Sequence, residues 1–406
     1  MLHWQKFTAY SMAKKCNDIF VVYIFAKYGY KTRYNSGRDV KPSLFLCFYR
    51  PPTMPSAGFF YARKEMFMIK TAEAVSLGHP DKTADYISCY ILDRMIEQDA
   101  NVRYAVEVMI KDNTVVLGGE ISGDVNLTNV KDYVIAALRE IGYDETYRLR
   151  WKDNAVNPAK IQVINLIGRQ SSDISQGVKQ NGWGDQGVFV GYACKGVGNI
   201  SREQYLAKKL CDALYEYALL NIHLGIDIKT QITLNELGGV ETAIVAIPML
   251  KDVDLTTFII MSLGEEPENI IVNGTGKYTR HSSIADCGVT GRKLACDFYS
   301  AAAPIGGGCP WGKDASKADV TLNLYARKLA LKYLQDNDEC FVYLSSCIGR
   351  SELPSAVVKT VKRGVPRHSY LKITKKPAEL IDELGLNKPV FAKLCRSGIY
   401  FLVDII

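Results

Sequence analysis

The chain has 406 residues, 48% hydrophobic and 23% charged, enough for two or three packed domains and too apolar for a long disordered protein. Its net charge of +7 is unevenly placed: residues 1–65 hold eleven Lys or Arg against three acids, so the remainder is nearly neutral and lacks the basic bias of a nucleic-acid-binding body. Eleven cysteines form no Cys-x-x-Cys pair, and Cys194, Cys211 and Cys296 lie in apolar stretches. That usage points to buried free thiols in a reducing cytoplasm, not to a disulfide frame or zinc site. No apolar run reaches the roughly 18 residues of a membrane helix.

Residues 1–67 are aromatic and basic with no clear period. They are expected to lie outside the fold, either as an extension or as upstream sequence ahead of Met66 or Met68. From Met68 the pattern becomes regular. Ala84, Ile87, Ile91, Leu92, Met95 and Ile96 recur at helical spacing, and Val102, Tyr104, Val106 and Val108 alternate as in a strand. Asp112-Asn113 predicts a turn into a second strand, and Val130–Ile141 reads as a helix. A second round predicts a strand at 161–167, a helix at 203–220 and strands at 228–234 and 243–247. A third predicts strands at 270–272 and 294–299, a helix over Ala318–Leu334, and strands at 340–347 and 356–361. Strand pairs separated by helices, three times over, predict an α+β fold. The expected domains are 68–175, 182–281 and 283–406.

Polar, glycine-bearing segments interrupt this pattern. Gly78-His79-Pro80-Asp81-Lys82 precedes the first helix and sets a hard oxygen ligand beside an imidazole, although a plain helix cap would also use Asp81. Gly184-Asp185-Gln186-Gly187 holds a carboxylate and an amide between turn glycines, and the polar stretch upstream of it reads as a mobile lid. Asp286-Cys287-Gly288-Val289-Thr290-Gly291-Arg292-Lys293 puts adjacent cations after glycines, as a polyphosphate requires. Gly306-Gly307-Gly308-Cys309-Pro310-Trp311-Gly312-Lys313-Asp314, with Lys317 and Asp319, lets backbone N–H groups and lysines meet an anion. It is not a Walker A loop: Asp314 stands where Ser or Thr is needed, and Pro310 removes an N–H. A triphosphate with divalent metal fits the whole set.

These residues resemble the S-adenosylmethionine synthetase (methionine adenosyltransferase) family. Thr71-Ala72-Glu73-Ala74-Val75-Ser76 leading into Gly78–Lys82, Gly118-Gly119-Glu120-Ile121, Gly184–Gly187 with Gly191-Tyr192-Ala193, and the segments at 286–293 and 306–314 match its motifs in order. The resemblance runs from about Met68 to Leu334 and fades beyond. It implies three similar sheet-and-helix domains about a pseudo-threefold axis, a cytoplasmic homodimer with sites at the interface, at times paired into a tetramer, and two Mg²⁺ and a K⁺ as cofactors. The implied reaction joins ATP and L-methionine, releasing phosphate and diphosphate; the alternative is a non-catalytic nucleotide-binding relative that regulates a true synthetase.

The resemblance also implies roles. His79 would stabilise the leaving triphosphate, and Asp81 and Asp319 would hold Mg²⁺. Lys229, Arg292, Lys293, Lys313 and Lys317 would line the triphosphate, with Gly307 and Gly308. Glu120, Gln170, Asp286 and Lys317 would hold methionine, with Asp286 also reaching ATP. Asp185 and Asp227 would contact ribose or the substrate amine, Tyr278 would stack on adenine, and Glu107 would bind K⁺. Departures from the family pattern are Ile305 in place of His, Pro310-Trp311 in place of an aromatic–Ser pair, Lys277-Tyr278 in place of Arg-Phe, and a shorter stretch between Gln170 and Gly184.

Overall fold

The computed structural model describes residues 70–169 and 182–399. The expectations for residues 1–67, for Gln170 and for the lid stretch lie outside the described residues. The first third contains β1 (Lys70–Val75), α1 (Pro80–Gln98), β2 (Arg103–Lys111), β3 (Thr114–Ser122), α2 (Val130–Ile141), α3 (Glu145–Trp151) and β4 (Gln162–Arg169). Next come β5 (Gly187–Cys194), α4 (Arg202–Leu220), β6 (Lys229–Leu234), β7 (Val240–Ala246), α5 (Thr256–Leu263) and β8 (Asn269–Val272). The last third holds α6 (Ser282–Ala285), β9 (Gly288–Val289), α7 (Leu294–Asp297), α8 (Ala318–Leu334), β10 (Glu339–Ser346), β11 (Ser355–Lys362), β12 (Val365–Tyr370), α9 (Pro377–Glu383) and α10 (Phe391–Ser397).

The strands form three four-stranded sheets, ordered β1-β6-β7-β8, β12-β11-β10-β5 and β4-β3-β2-β9. The first and third share one plan: an antiparallel hairpin, with a parallel strand on one side and an antiparallel strand on the other. In the second sheet every pairing is antiparallel. One long helix covers each sheet: α4 packs on β1 and β6, α8 on β5 and β10, and α1 on β2. This is the expected α+β architecture. The sheets nevertheless cut across the sequential blocks 68–175, 182–281 and 283–406. β1 joins strands of the middle block, β5 joins strands of the last, and β9 joins strands of the first.

Local sequence explains the elements. On β2, Tyr104, Val106, Val108 and Ile110 are buried while Glu107 and Met109 face out, the two-residue period of a half-covered strand. Helix α2 ends at Gly142, whose φ of 107° lets its N–H and the next close on the last carbonyls. Helix α8 is apolar on most sides because β5, β10 and α9 all border it.

One element differs in kind from expectation. Residues 294–299, read as a strand, begin with the helical turn α7, closed by Phe298 N–H to the Leu294 carbonyl at 2.9 Å. Cys296, Phe298 and Tyr299 are all buried, and a short buried run carries no period that separates strand from helix.

Candidate active site

The first cluster is built by the start of α1 and the loop ahead of α7. Pro80 occupies the first helical turn, and the His79 side chain caps it: Nδ1 accepts the Asp81 N–H at 3.2 Å. That bond leaves the imidazole proton on Nε2. Burial, then the positive Lys293, pulls the His79 pKa down to about 4, so the ring is neutral near pH 7. Asp81 is wholly buried. Its carboxylate accepts the Val289 N–H at 2.9 Å and the Lys293 ammonium at 2.7 Å, with Arg292 Nε at 3.4 Å. Asp227 accepts the Ser282 N–H at 2.8 Å, and burial pushes its carboxyl up to about 7. Asp286 and Lys229 act on His79 through their charges, and burial raises the Tyr278 phenol, with the nearby Asp227 charge adding to the effect. Lys229 pairs with Glu73 at 2.8 Å.

The second cluster lies on the 306–319 segment. Val106 N–H donates to the Gly312 carbonyl at 3.0 Å, and Asp314 N–H donates to Tyr104 at 2.9 Å. Lys313 between them bridges Ala105, which pairs with Glu120 on its other side. Directly paired residues share a sheet face, so Lys313, Ala105 and Glu120 point the same way, outward with Glu107. Lys313 Nζ lies 2.5 Å from Asp319, which sits in the first turn of α8 after Lys317. Gly308 packs against that carboxylate: a Cβ there would meet Asp319 Oδ1 at 1.7 Å. Asp185 is exposed at the entry to β5, and its carbonyl accepts the Ser346 hydroxyl at 2.8 Å.

Of the expected residues, the structure groups His79, Asp81, Asp227, Lys229, Tyr278, Asp286, Arg292 and Lys293. It groups Lys313, Lys317, Asp319 and Gly308 separately, next to the sheet face of Glu107 and Glu120. Among the described residues, no hydrogen bond or ion pair runs from the first cluster to the second. Glu73 was not anticipated as part of the first cluster; its place on β1, directly across from Gln231 and beside the register of Lys229, needs the long-range pairing to be seen.

A buried charge network lies behind both clusters. Lys82 Nζ contacts Asp297 at 2.7 Å and Asp85 at 3.6 Å, and it sits 4.4 Å from the centre of the Trp311 ring. Burial pushes the Asp85 carboxyl up to about 7 against the pull of Lys82. Lys82 and Asp297 also line a cavity of about 410 Å³ beside β1, α4 and α10; His79 and Lys313 are not on its wall.

Three helix-covered sheets, a neutral histidine, carboxylates paired with lysines and two sets of cations describe an α+β protein whose polar groups are gathered from distant stretches of the chain. The sequence matches the S-adenosylmethionine synthetase N-terminal domain over residues 67–172 and the C-terminal domain over residues 281–402. It is 32% identical to an S-adenosylmethionine synthase of Paramagnetospirillum magneticum, over 81% of this chain and 91% of that protein. It is 31% identical to S-adenosylmethionine synthase 2 of Rhodospirillum rubrum, over 81% and 90%. Among solved structures, an unusual S-adenosylmethionine synthetase from Campylobacter jejuni matches with a TM-score of 0.73 at 29% identity, covering 82% of this chain and 94% of that one. The chain belongs to the S-adenosylmethionine synthetase family. The match extends to residue 402, well past the point near Leu334 where the motif resemblance fades.

Proposed function

We propose that this protein transfers the adenosyl group of ATP to the sulfur of L-methionine. The sulfur attacks C5′ of the ribose, the C5′–O bond breaks, and triphosphate leaves; water then cleaves the triphosphate to phosphate and diphosphate. The observation that carries this reading is the convergence of two chain stretches, 79–81 and 286–293, on one buried carboxylate and its cations, with Asp227 and Lys229 near enough to interact with the same charges.

The chain's own groups divide the work. Neutral His79 offers its Nε2–H to the oxygen that gains charge as the bond breaks, a stabilisation that grows toward the transition state. Arg292, Lys293, Lys313 and Lys317 neutralise the departing triphosphate. Glu120 and Asp286 take the methionine ammonium, and Tyr278 takes the adenine face. Asp185 and Asp227 hold the ribose or substrate amine.

No group of three potential ligands clusters among the described residues. Mg²⁺ suits that arrangement, since it commonly takes one or two carboxylates and draws its other oxygens from substrate phosphate and water. Asp81 and Asp319, each already facing a lysine that a phosphate would also bind, fit as those single ligands. Bound Mg²⁺ supplies charge neutralisation at the phosphate oxygens. Glu107, exposed on β2, would offer its carboxylate to K⁺.

The separation of the two clusters supports a site completed by a second copy. Met109, Ile164 and Leu166 are exposed on the same outer sheet face as Glu107 and Glu120, an apolar surface suited to another subunit. Incubation with ATP, methionine, Mg²⁺ and K⁺ tests the reading. S-adenosylmethionine with equimolar phosphate and diphosphate is expected; ATP binding without the sulfonium product would refute it.

A further inference from the structure

A second cavity, of about 340 Å³, opens where α1 ends and β2 begins. Ile96 and Arg103 line it from those elements, Asp314 and Ser316 from the segment before α8, and Ile381, Asp382 and Leu386 from α9 and the turn that follows. Lys313, Lys317 and Glu120 are not on its wall, and neither are Met109, Ile164 and Leu166 of the outer sheet face. The polar groups of this wall are unevenly used. Asp314 is 3% exposed, and its carboxylate accepts the Tyr104 N–H at 2.8 Å and the Ser316 N–H at 2.9 Å, with Lys317 Nζ at 3.9 Å. Arg103 comes no closer to that carboxylate than 3.6 Å, and its guanidinium makes no hydrogen bond among the described residues. The Asp382 carboxylate takes the Asn387 side-chain amide at 3.3 Å and pairs with no cation among the described residues. Ser316 is 9% exposed, and its hydroxyl has no hydrogen-bond partner there.

The charge of Asp314 is spent on its own neighbours, so Arg103 and Asp382 are the two groups of this wall left to meet a ligand. A planar guanidinium with free N–H groups matches a carboxylate through two parallel hydrogen bonds. A carboxylate without a cation suits an ammonium. A buried hydroxyl without a partner is costly until a ligand or water supplies one. Ile96, Ile381 and Leu386 give the cavity its apolar surface. Its volume lies at the small end of small-molecule pockets. A plain anion would satisfy Arg103 but leave Asp382 facing a like charge, and a plain cation would leave Arg103 unmatched. A ligand with one carboxylate, one ammonium and an apolar side chain satisfies all of these groups together.

We propose that this cavity binds a free apolar α-amino acid, with its carboxylate on Arg103 and the Ser316 hydroxyl, its ammonium on Asp382, and its side chain against Ile96, Ile381 and Leu386. The site uses none of the residues assigned above to methionine or triphosphate, and it does not rest on the proposed reaction.

The test is calorimetric titration of the full chain with L-leucine, with 4-methylpentanoate, which lacks the ammonium, and with 3-methylbutylamine, which lacks the carboxylate. Leucine should bind, and each fragment should bind about tenfold more weakly, the scale of a lost hydrogen bond to a charged group. No leucine binding overturns the proposal. So does a fragment that binds as well as leucine, because the cavity would then select a single charge. Arg103→Gln should weaken leucine about tenfold, and Glu120→Gln should leave its affinity unchanged. Loss of leucine binding in Glu120→Gln would put the amino acid with the candidate methionine groups and overturn the proposal, as would parental affinity in Arg103→Gln. Ser316→Ala, which deletes only the unpartnered hydroxyl, should weaken leucine about fivefold and decides the matter if Arg103→Gln does not fold; parental affinity in that variant would then overturn the proposal. Production of S-adenosylmethionine is measured separately, and its absence would refute the proposed reaction while leaving this site standing.

Discussion

Lys293 Nζ lies 2.7 Å from a carboxylate oxygen of Asp81, and Asp81 has no exposed surface. A wholly buried acid that meets two cations and a backbone N–H is stable only as a set. Asp81→Ala should therefore cost about 3 kcal/mol, as expected when one partner of a buried pair is removed. Urea unfolding measures this. The same variant should lose adenosyl transfer at every Mg²⁺ concentration; recovery at high Mg²⁺ would assign Asp81 to affinity for the metal alone.

His79 is neutral and is oriented by the Asp81 N–H. Its alanine variant should lower turnover by about a hundredfold, the scale of one lost donor to a developing oxyanion. ATP affinity, read by calorimetry, should change far less. An equal loss in both would make His79 a ground-state contact.

Gly308→Ala places a methyl group where Asp319 now sits. The carboxylate has to move, and its 2.5 Å contact with Lys313 breaks. Activity should fall with little change in melting temperature, because the Asp319 side chain is itself partly exposed and can turn toward solvent. Full activity in the alanine variant would show that the Asp319 position is unimportant.

The two unconnected clusters predict complementation between chains. His79→Ala and Lys313→Ala, each inactive alone, should recover about a quarter of full activity when co-expressed, because half of the dimers are mixed and each mixed dimer rebuilds one of two sites. Tandem affinity purification isolates the mixed dimers for assay. Absence of any recovery would mean that each chain holds a complete site.

Burial holds Asp85 and Asp227 at about 7 and Asp93 at about 6, all above the ordinary carboxylate range. A folded state that retains protons more tightly than the unfolded chain is most favoured at low pH, and the advantage is lost as pH rises through these values. Thermal stability should thus decline from about pH 5 to pH 8. Asp85→Asn removes one contributor, so its melting temperature should vary less over that interval; an identical slope would mean that Asp85 is ionised throughout.

Much of this was legible beforehand. Helices over Val130–Ile141 and Ala318–Leu334 follow from apolar spacing alone, and the polar glycine-bearing segments are visible because they break that spacing. What escaped the sequence is long-range. Nothing in Lys70–Val75 names β6 as its neighbour, since strand patterns specify a face and not a partner. Strand β5 is buried along most of its length and so lacks alternation, while β12 is exposed throughout and lacks a buried face. Within the site, the acids and cations could be named, but their division into two clusters depends on β2 carrying the Lys313 loop on one edge and Glu120 on the other. Lys82 shows the same limit: its segment marked a site, and only packing reveals that it points inward.

The crossing of strands between distant stretches has a consequence for how this molecule is made. β1 leaves the ribosome long before β6, the strand it pairs with, and β5 emerges well ahead of β10. During synthesis both remain as unpaired edges. A prematurely terminated product ending before residue 339 would present β5 without its β10 partner, a template for self-association and a mark for proteolysis. Nascent chains of this protein should therefore depend on holding factors until translation is nearly complete.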